Sequence, residues 1–243
     1  MRTSFLPSIL SSLAIVSLAA CTDAGPSDEL ADESKLDGEA GKGDSADAFT
    51  FFTISPNVGQ DQSESTGFQV ARVNRAETTC TRGVSGPTCL VNGLDLSGTA
   101  MPDSVQASYV ERIRNGETFI LRGELTPAAD DRGVSLSVTE VWAAGSSNGL
   151  TDGPVVLVKD NGTRCVQAPC PSLTEYRLNS NRFAEIHEVD LASAGADELS
   201  LGAADEQLHS GGVIVIGDRF YGPKDSKGRA ASQFFTKAPV PQN

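Results

Sequence analysis

The chain has 243 residues, with 19 Lys+Arg against 32 Asp+Glu for a formal net charge of -13, and 39% hydrophobic residues. That apolar fraction suffices for a packed core, so wholesale disorder and a purely fibrous protein are excluded, and the length allows one large or two small domains. An acidic chain with no dense Lys/Arg stripe is repelled by the phosphate lattice of DNA or RNA, which excludes nucleic acid as a partner.

Residues 1–20 read as a secretory signal. Met1-Arg2 gives a positive start, and Phe5 to Ala20 is apolar but short and serine-rich, whereas a bilayer span needs roughly 20 predominantly apolar residues. The stretch ends Leu18-Ala19-Ala20-Cys21, which resembles the lipobox of bacterial lipoproteins. The resemblance implies cleavage before Cys21, a diacylglycerol on its sulfur and acylation of the new amine. Membrane contact then runs through lipidated Cys21, and two or three acyl chains hold firmly at about 0.8 kcal/mol per buried methylene. Thr22 stands where an aspartate would favour retention in the inner membrane, so the resemblance implies a lipid-anchored protein of the cell envelope, at the outer membrane.

Residues 21–48 form an acidic tether. From Thr22 to Ala48 there are nine acids, two lysines and no aromatic residue. Without an apolar stripe to bury, such a segment stays solvated and extended.

Beyond the tether the chain reads as a β-rich α+β fold of antiparallel strands, written as two related β(CC)βαββ units over 49–149 and 150–243. Each opens on a strand-like run, FQVARV (68–73) or VVLVK (155–159), continues through two cysteines, and reaches LDLS (94–97) or VDLAS (189–193). A helical pattern follows. Val105, Tyr109 and Ile113 share one face, with Asp103 or Ser104 as cap and Asn115-Gly116 as stop; Leu201, Ala204 and Leu208 share the other, stopped by Gly211-Gly212. Each unit closes on a hairpin, TFILRGEL with VSLSVTEV or VIVIGDRF with ASQFFTKA. The spacing between the two drifts, and an insertion over 173–188 accounts for it. The units pack together or stand as tandem small domains; one irregular β-rich domain is the alternative.

The fragments VNRAETTC (73–80), CLVNGLDLSG (89–98), LSVTEVW (136–142) and VKDNGTRCVQAPCPS (158–172) make the chain from Phe51 onward resemble an uncharacterised domain of unknown function found in secreted bacterial lipoproteins. The resemblance implies the architecture and the envelope location and brings no catalytic residue.

Five cysteines less Cys21 leave Cys80, Cys89, Cys165 and Cys170, an even set that suits two disulfides in an exported protein. Of three possible pairings, the repeat favours Cys80–Cys89 and Cys165–Cys170. Zinc is disfavoured, because the spacings differ and both histidines, His187 and His209, fall in the second half.

The chain lacks Gly-x-Ser-x-Gly, His-Glu-x-x-His and the glycine-rich phosphate loops, so no cofactor is expected. The leading expectation is a non-catalytic binding or scaffolding module. Asp95 and Asp190 hold matching places and read as outward-facing strand residues or caps for the following loop, or else as paired carboxylates; an enzyme would use Asp95, Asp190 or His187. His209 complements a helix C-terminus, Trp142 reads as a core or interface anchor, and Asp160-Asn161-Gly162 reads as a turn. A second functional expectation is a protease inhibitor presenting the Cys80–Cys89 loop, with Arg82 at its tip beside Gly83.

Overall fold

A computed structural model describes residues 50–58, 65–128, 133–146 and 149–238. The signal over 1–20, lipidation at Cys21 and the tether over 21–48 lie outside the described residues. The first half holds β1 (Thr50–Val58), β2 (Ser65–Arg72), short β3 (Thr78–Thr79) and β4 (Ser85–Gly86), β5 (Cys89–Val91), β6 (Gly93–Asp95), helix α1 (Asp103–Arg114), β7 (Phe119–Pro127) and β8 (Val134–Ala144). The second holds β9 (Val155–Asp160), β10 (Leu173–Arg177), β11 (Phe183–Ile186), β12 (Glu188–Asp190), helix α2 (Glu198–Ser210), β13 (Val213–Tyr221) and β14 (Lys227–Lys237). The fold is β-rich α+β, as expected, with one large, mainly antiparallel sheet and two α-helices among the described residues.

The pairings close each half on itself. In the first, β1 lies between β2 and β7, β7 pairs with β8, and β2 pairs with β5, all antiparallel. β6 runs parallel to β8. β5 and β6 are one run of chain bent at Asn92, whose N–H donates to the Val134 carbonyl at 2.8 Å, so the circuit of strands is complete. In the second half, β9 lies between β10 and β13, β13 pairs with β14, and β10 pairs with β11. β12 runs parallel to β14, and the bend at His187 donates its N–H to the Lys227 carbonyl at 2.8 Å. Closing a sheet into a barrel removes its open edges. The two barrels are joined where β8 pairs with β14, Trp142 opposite Lys237 and Ala144 opposite Phe235.

Three buried clusters follow from this arrangement. Phe52, Phe68, Val70, Val91, Ile113, Phe119, Leu121 and Leu136 fill the first barrel, with Ala238 from the end of the second half. Val156, Val158, Ile186, Leu208, Val213, Val215 and Phe234 fill the second. Ile120, Trp142, Val155, Ile214, Ile216 and Phe235 form a layer of their own. Alternate residues of β7 and β13 point to different clusters, which explains why both strands read as unbroken apolar runs. A bulge follows in each hairpin, at Gly123 and at Gly217. A Cβ on Gly217, whose φ is +155°, would meet the Ala230 carbonyl, so the close approach requires glycine.

The sequence expectation is corrected at three places. The segment 173–188 is no insertion; it supplies β10 and β11, which pair in the second barrel as β2 and β5 do in the first. VVLVK forms β9, which occupies the place of β1 and not of FQVARV, which forms most of β2. The two cystines fall in different connections, Cys80–Cys89 between β2 and β5 and Cys165–Cys170 between β9 and β10. Aligning the halves on their cysteines therefore shifts the register by one strand. α1 also lacks the expected cap: Pro102 precedes it and no side chain caps its first turn, whereas Asp197 accepts from the Ser200 N–H at 2.8 Å at the start of α2.

Two asparagines fasten one barrel to the other. Asn74, two residues past β2, takes a φ of +57°, and Asn179, two residues past β10, takes +56°. The Asn74 amide donates to the Val155 and Leu178 carbonyls at 2.7 and 3.0 Å and accepts from the Val155 N–H at 2.9 Å. Asn179 donates to the Phe51 and Val73 carbonyls, both at 2.8 Å, and accepts from the Phe51 N–H at 2.9 Å. Asparagine is the non-glycine residue best suited to the left-handed region, and each amide supplies both donors and its acceptor.

Candidate functional site

Strand alternation places Ala184 and Ile186 of β11 in the second barrel and leaves Phe183, Glu185 and His187 on its outer side. Phe183 pairs with Tyr176 of β10 across the ladder, ring centroids 6.0 Å apart and tilted by 35°, and the Lys159 ammonium lies 4.8 Å from the Tyr176 ring centroid. Phe183, Glu185 and His187 line a pocket of about 400 Å³ with Pro171 from the β9–β10 connection and Asp225 and Lys227 from the β13–β14 connection.

Two features give this pocket a defined lining. His187 Nδ1 lies 2.9 Å from the Lys227 N–H and 2.8 Å from the Lys227 carbonyl, so the Lys227 backbone holds the ring through Nδ1 and leaves Nε2 as its second polar atom. Lys224 and Asp225 both take left-handed backbone, φ +58° and +56°, a conformation that costs roughly 1–2 kcal/mol per non-glycine residue. Such strain concentrates at binding and active sites. The pocket thus joins an aromatic platform to two carboxylates, an ammonium and an imidazole.

Inside the same barrel lies an ion triad. Glu175 and Arg229 have no exposed surface, and the Arg219 side chain is 6% exposed. Arg229 Nε donates to Glu175 Oε2 at 2.6 Å and Arg219 Nε to Oε1 at 2.7 Å. Burial alone would push the Glu175 carboxyl up, but Arg229 and Arg219 outweigh it and hold the group below the usual carboxylate range. In the first hairpin Leu125 faces Leu136 two residues beyond the bulge glycine, where the second hairpin sets Arg219 opposite Arg229. The first barrel is apolar where the second is ionic.

The structure pairs Cys80 with Cys89 and Cys165 with Cys170, Cα atoms 5.8 and 5.5 Å apart. Asp95 and Asp190 lie in separate barrels. Asp95 accepts from the Ser97 N–H at 3.0 Å, and Asp190 accepts from the Ser193 N–H at 3.2 Å and from its hydroxyl. Each carboxyl is lowered first by its serine side chain and then by the backbone N–H. Both are turn caps and form no carboxylate pair. His209 donates to the Asp160 carboxylate through Nδ1 at 2.9 Å, an exposed contact at the end of α2. Asp160-Asn161-Gly162 is a turn, with the Gly162 N–H donating to Asp160 at 2.7 Å and the Thr163 N–H to Asn161 at 2.8 Å. Trp142 donates to Glu140 at 3.1 Å and anchors the layer shared by β7, β8, β13 and β14.

The Arg82 side chain lies outside the described residues. Its backbone belongs to a 3-10 turn over Thr81–Gly83, and Gly83 takes a φ of +75°. A substrate-like inhibitory loop needs extended backbone at its tip, which this turn does not offer. Of the expected enzyme residues only His187 lines the pocket; Phe183, Glu185, Asp225 and Lys227 went unread, although the alternation of FAEIH marks an outer polar face. No group of three or more His, Cys, Asp or Glu side chains poised to hold a metal occurs among the described residues, and no described helix is long and apolar enough to cross a membrane.

The family described as Domain of unknown function (DUF6748) matches residues 60–239. No curated protein and no solved structure matches the chain.

Proposed function

The chain belongs to the DUF6748 family of domains of unknown function, and on that premise we propose that it is a lipid-anchored binding module of the cell envelope, non-catalytic, held at the outer membrane by Cys21. The observation that carries the reading is the pocket of Phe183, Glu185, His187, Asp225 and Lys227 on the outer face of the second barrel. Both residues singled out for catalysis by position, Asp95 and Asp190, are consumed in capping, which supports binding over catalysis.

The two halves are two copies of one unit. Apart from the short β3–β4 pair of the first half, they share pairings, bend, bulge glycine and reciprocal asparagine. The connection order, three strands, a helix, then a hairpin whose second strand runs parallel to the third, is that of an OB-type barrel, whose second and third strands and flanking loops form a common ligand face. The pocket sits on that face of the second copy.

A photo-crosslinking residue at Glu185, introduced into the full chain in native membranes, tests the reading. Its adduct is expected to contain an envelope component absent when the same residue replaces exposed Leu90 on the first barrel, and the intact mass is expected to begin at lipidated Cys21. Identical adduct patterns at the two positions overturn the binding module, and an unprocessed N-terminus overturns the anchor.

A further inference from the structure

The pocket's own chemistry says what class of ligand suits it, an inference that rests on the binding-module reading and deepens it. Its volume of about 400 Å³ falls in the range of roughly 300–1,000 Å³ in which small-ligand sites lie. Four of the six lining side chains are polar: Glu185 and Asp225 accept, Lys227 donates, and His187 adds the second nitrogen of its ring. Phe183 and Pro171 supply apolar ring surface, and Phe183 continues into Tyr176 along the ladder.

The candidate classes separate on charge and on donor balance. A polyanion meets two carboxylates in the pocket and a net charge of -13 on the chain, which disfavours phosphate backbones. A purely apolar ligand would strip water from four polar groups without replacing their hydrogen bonds, at roughly 1–3 kcal/mol each. A sugar does neither. Each hydroxyl both donates and accepts, so a vicinal pair satisfies a carboxylate and an ammonium or imidazole together, while the C–H face of the pyranose lies against an aromatic ring. OB-type faces are known to take oligosaccharides in this position, and the run from Phe183 to Tyr176 extends the platform beyond one ring.

We propose that the outer face of the second barrel binds an uncharged oligosaccharide, with one sugar against Phe183 and its hydroxyls divided among Glu185, Asp225, Lys227 and His187. Isothermal titration calorimetry on the detergent-solubilised full chain, with the β-1,4-linked hexamer of N-acetylglucosamine, cellohexaose and maltohexaose as probes, tests it. At least one hexamer is expected to bind saturably, about tenfold more weakly to Phe183→Ala and to Glu185→Gln, and unchanged to Asp95→Asn on the other barrel. Glu185 is exposed, so Glu185→Gln reports on the site even if Phe183→Ala fails to fold. Saturation by none of the three, or binding indifferent to both pocket variants, overturns the proposal. A protein adduct at position 185 with no sugar binding overturns it while leaving the binding module standing.

Discussion

Asn74 and Asn179 each grip the opening strand of the other's barrel, and each does so with two donated hydrogen bonds and one accepted. Removing either amide takes the side-chain acceptor from the Val155 or Phe51 N–H, while the carbonyls of both keep a backbone donor. At roughly 1 kcal/mol net per hydrogen bond, Asn74→Gly or Asn179→Gly is expected to cost about 2–4 kcal/mol. Glycine keeps the left-handed backbone free of strain, so the corresponding alanine variants are expected to be lower still in the midpoint of urea denaturation. Equal stability of the glycine variants and the parent chain would contradict this role.

The Glu175 triad separates two effects that a single substitution confuses. Glu175→Gln strands two buried guanidinium groups and is expected to destabilise by about 3–5 kcal/mol. The triple variant Glu175→Val, Arg219→Leu, Arg229→Leu copies the apolar side chains that Val70, Leu125 and Leu136 place in the first barrel. It is expected to match or exceed the parent, because the Coulomb attraction is lost together with the desolvation cost. Chemical denaturation of the three chains decides the matter, and a triple variant less stable than Glu175→Gln would refute it.

Acid should weaken the fold through two glutamates. Glu175 is held below the ordinary value of about 4.3, and so is Glu140, where burial pushes up but the Lys237 ammonium, the Trp142 N–H and Arg122 prevail. A carboxyl whose folded pKa lies below its unfolded one contributes stability that is complete above the unfolded value and lost as pH falls through the folded one. Denaturation midpoints are therefore expected to hold steady from pH 7 to about 5 and to drop below about 4.3. Glu140→Gln should flatten part of that drop, and an unchanged pH profile in this variant would exclude its contribution.

The two cystines should respond differently to reductant. Cys89 is 1% exposed in the first barrel, whereas Cys165 is exposed on the β9–β10 connection. Mild reduction followed by alkylation and peptide mapping is expected to label Cys165 and Cys170 well before Cys80 and Cys89. On the chain-entropy account the rings contribute roughly 2.2 and 2.7 kcal/mol respectively, so the order of reduction reports access more than energy. Simultaneous labelling of all four would mean that the first barrel opens as readily as the loop.

Much of the architecture was legible in local pattern. Val105, Tyr109 and Ile113 do line the inner face of α1, Ala204 and Leu208 that of α2, and both terminal hairpins fall where alternation put them. What escaped was β1, whose TFFTISPNV is interrupted by Thr, Ser, Pro and Asn, and with it the one-strand shift that made β10 and β11 look like an insertion. The pocket is hidden with them, since Phe183 and Glu185 fall in the stretch whose spacing reads as an insertion. The ion triad was invisible for another reason: Glu175 meets its partners 44 and 54 residues away, and a charged residue in LTEYR reads locally as solvent-facing.

One small side chain ties the first barrel to chain that lies beyond the second. Ala238 lies in the core of the first barrel, and its N–H donates to the Val141 carbonyl at 2.8 Å. The first barrel is thus completed by a residue that follows the last strand of the second. A chain cut before Ala238 would leave the first barrel short of one buried side chain and the Val141 carbonyl short of this donor.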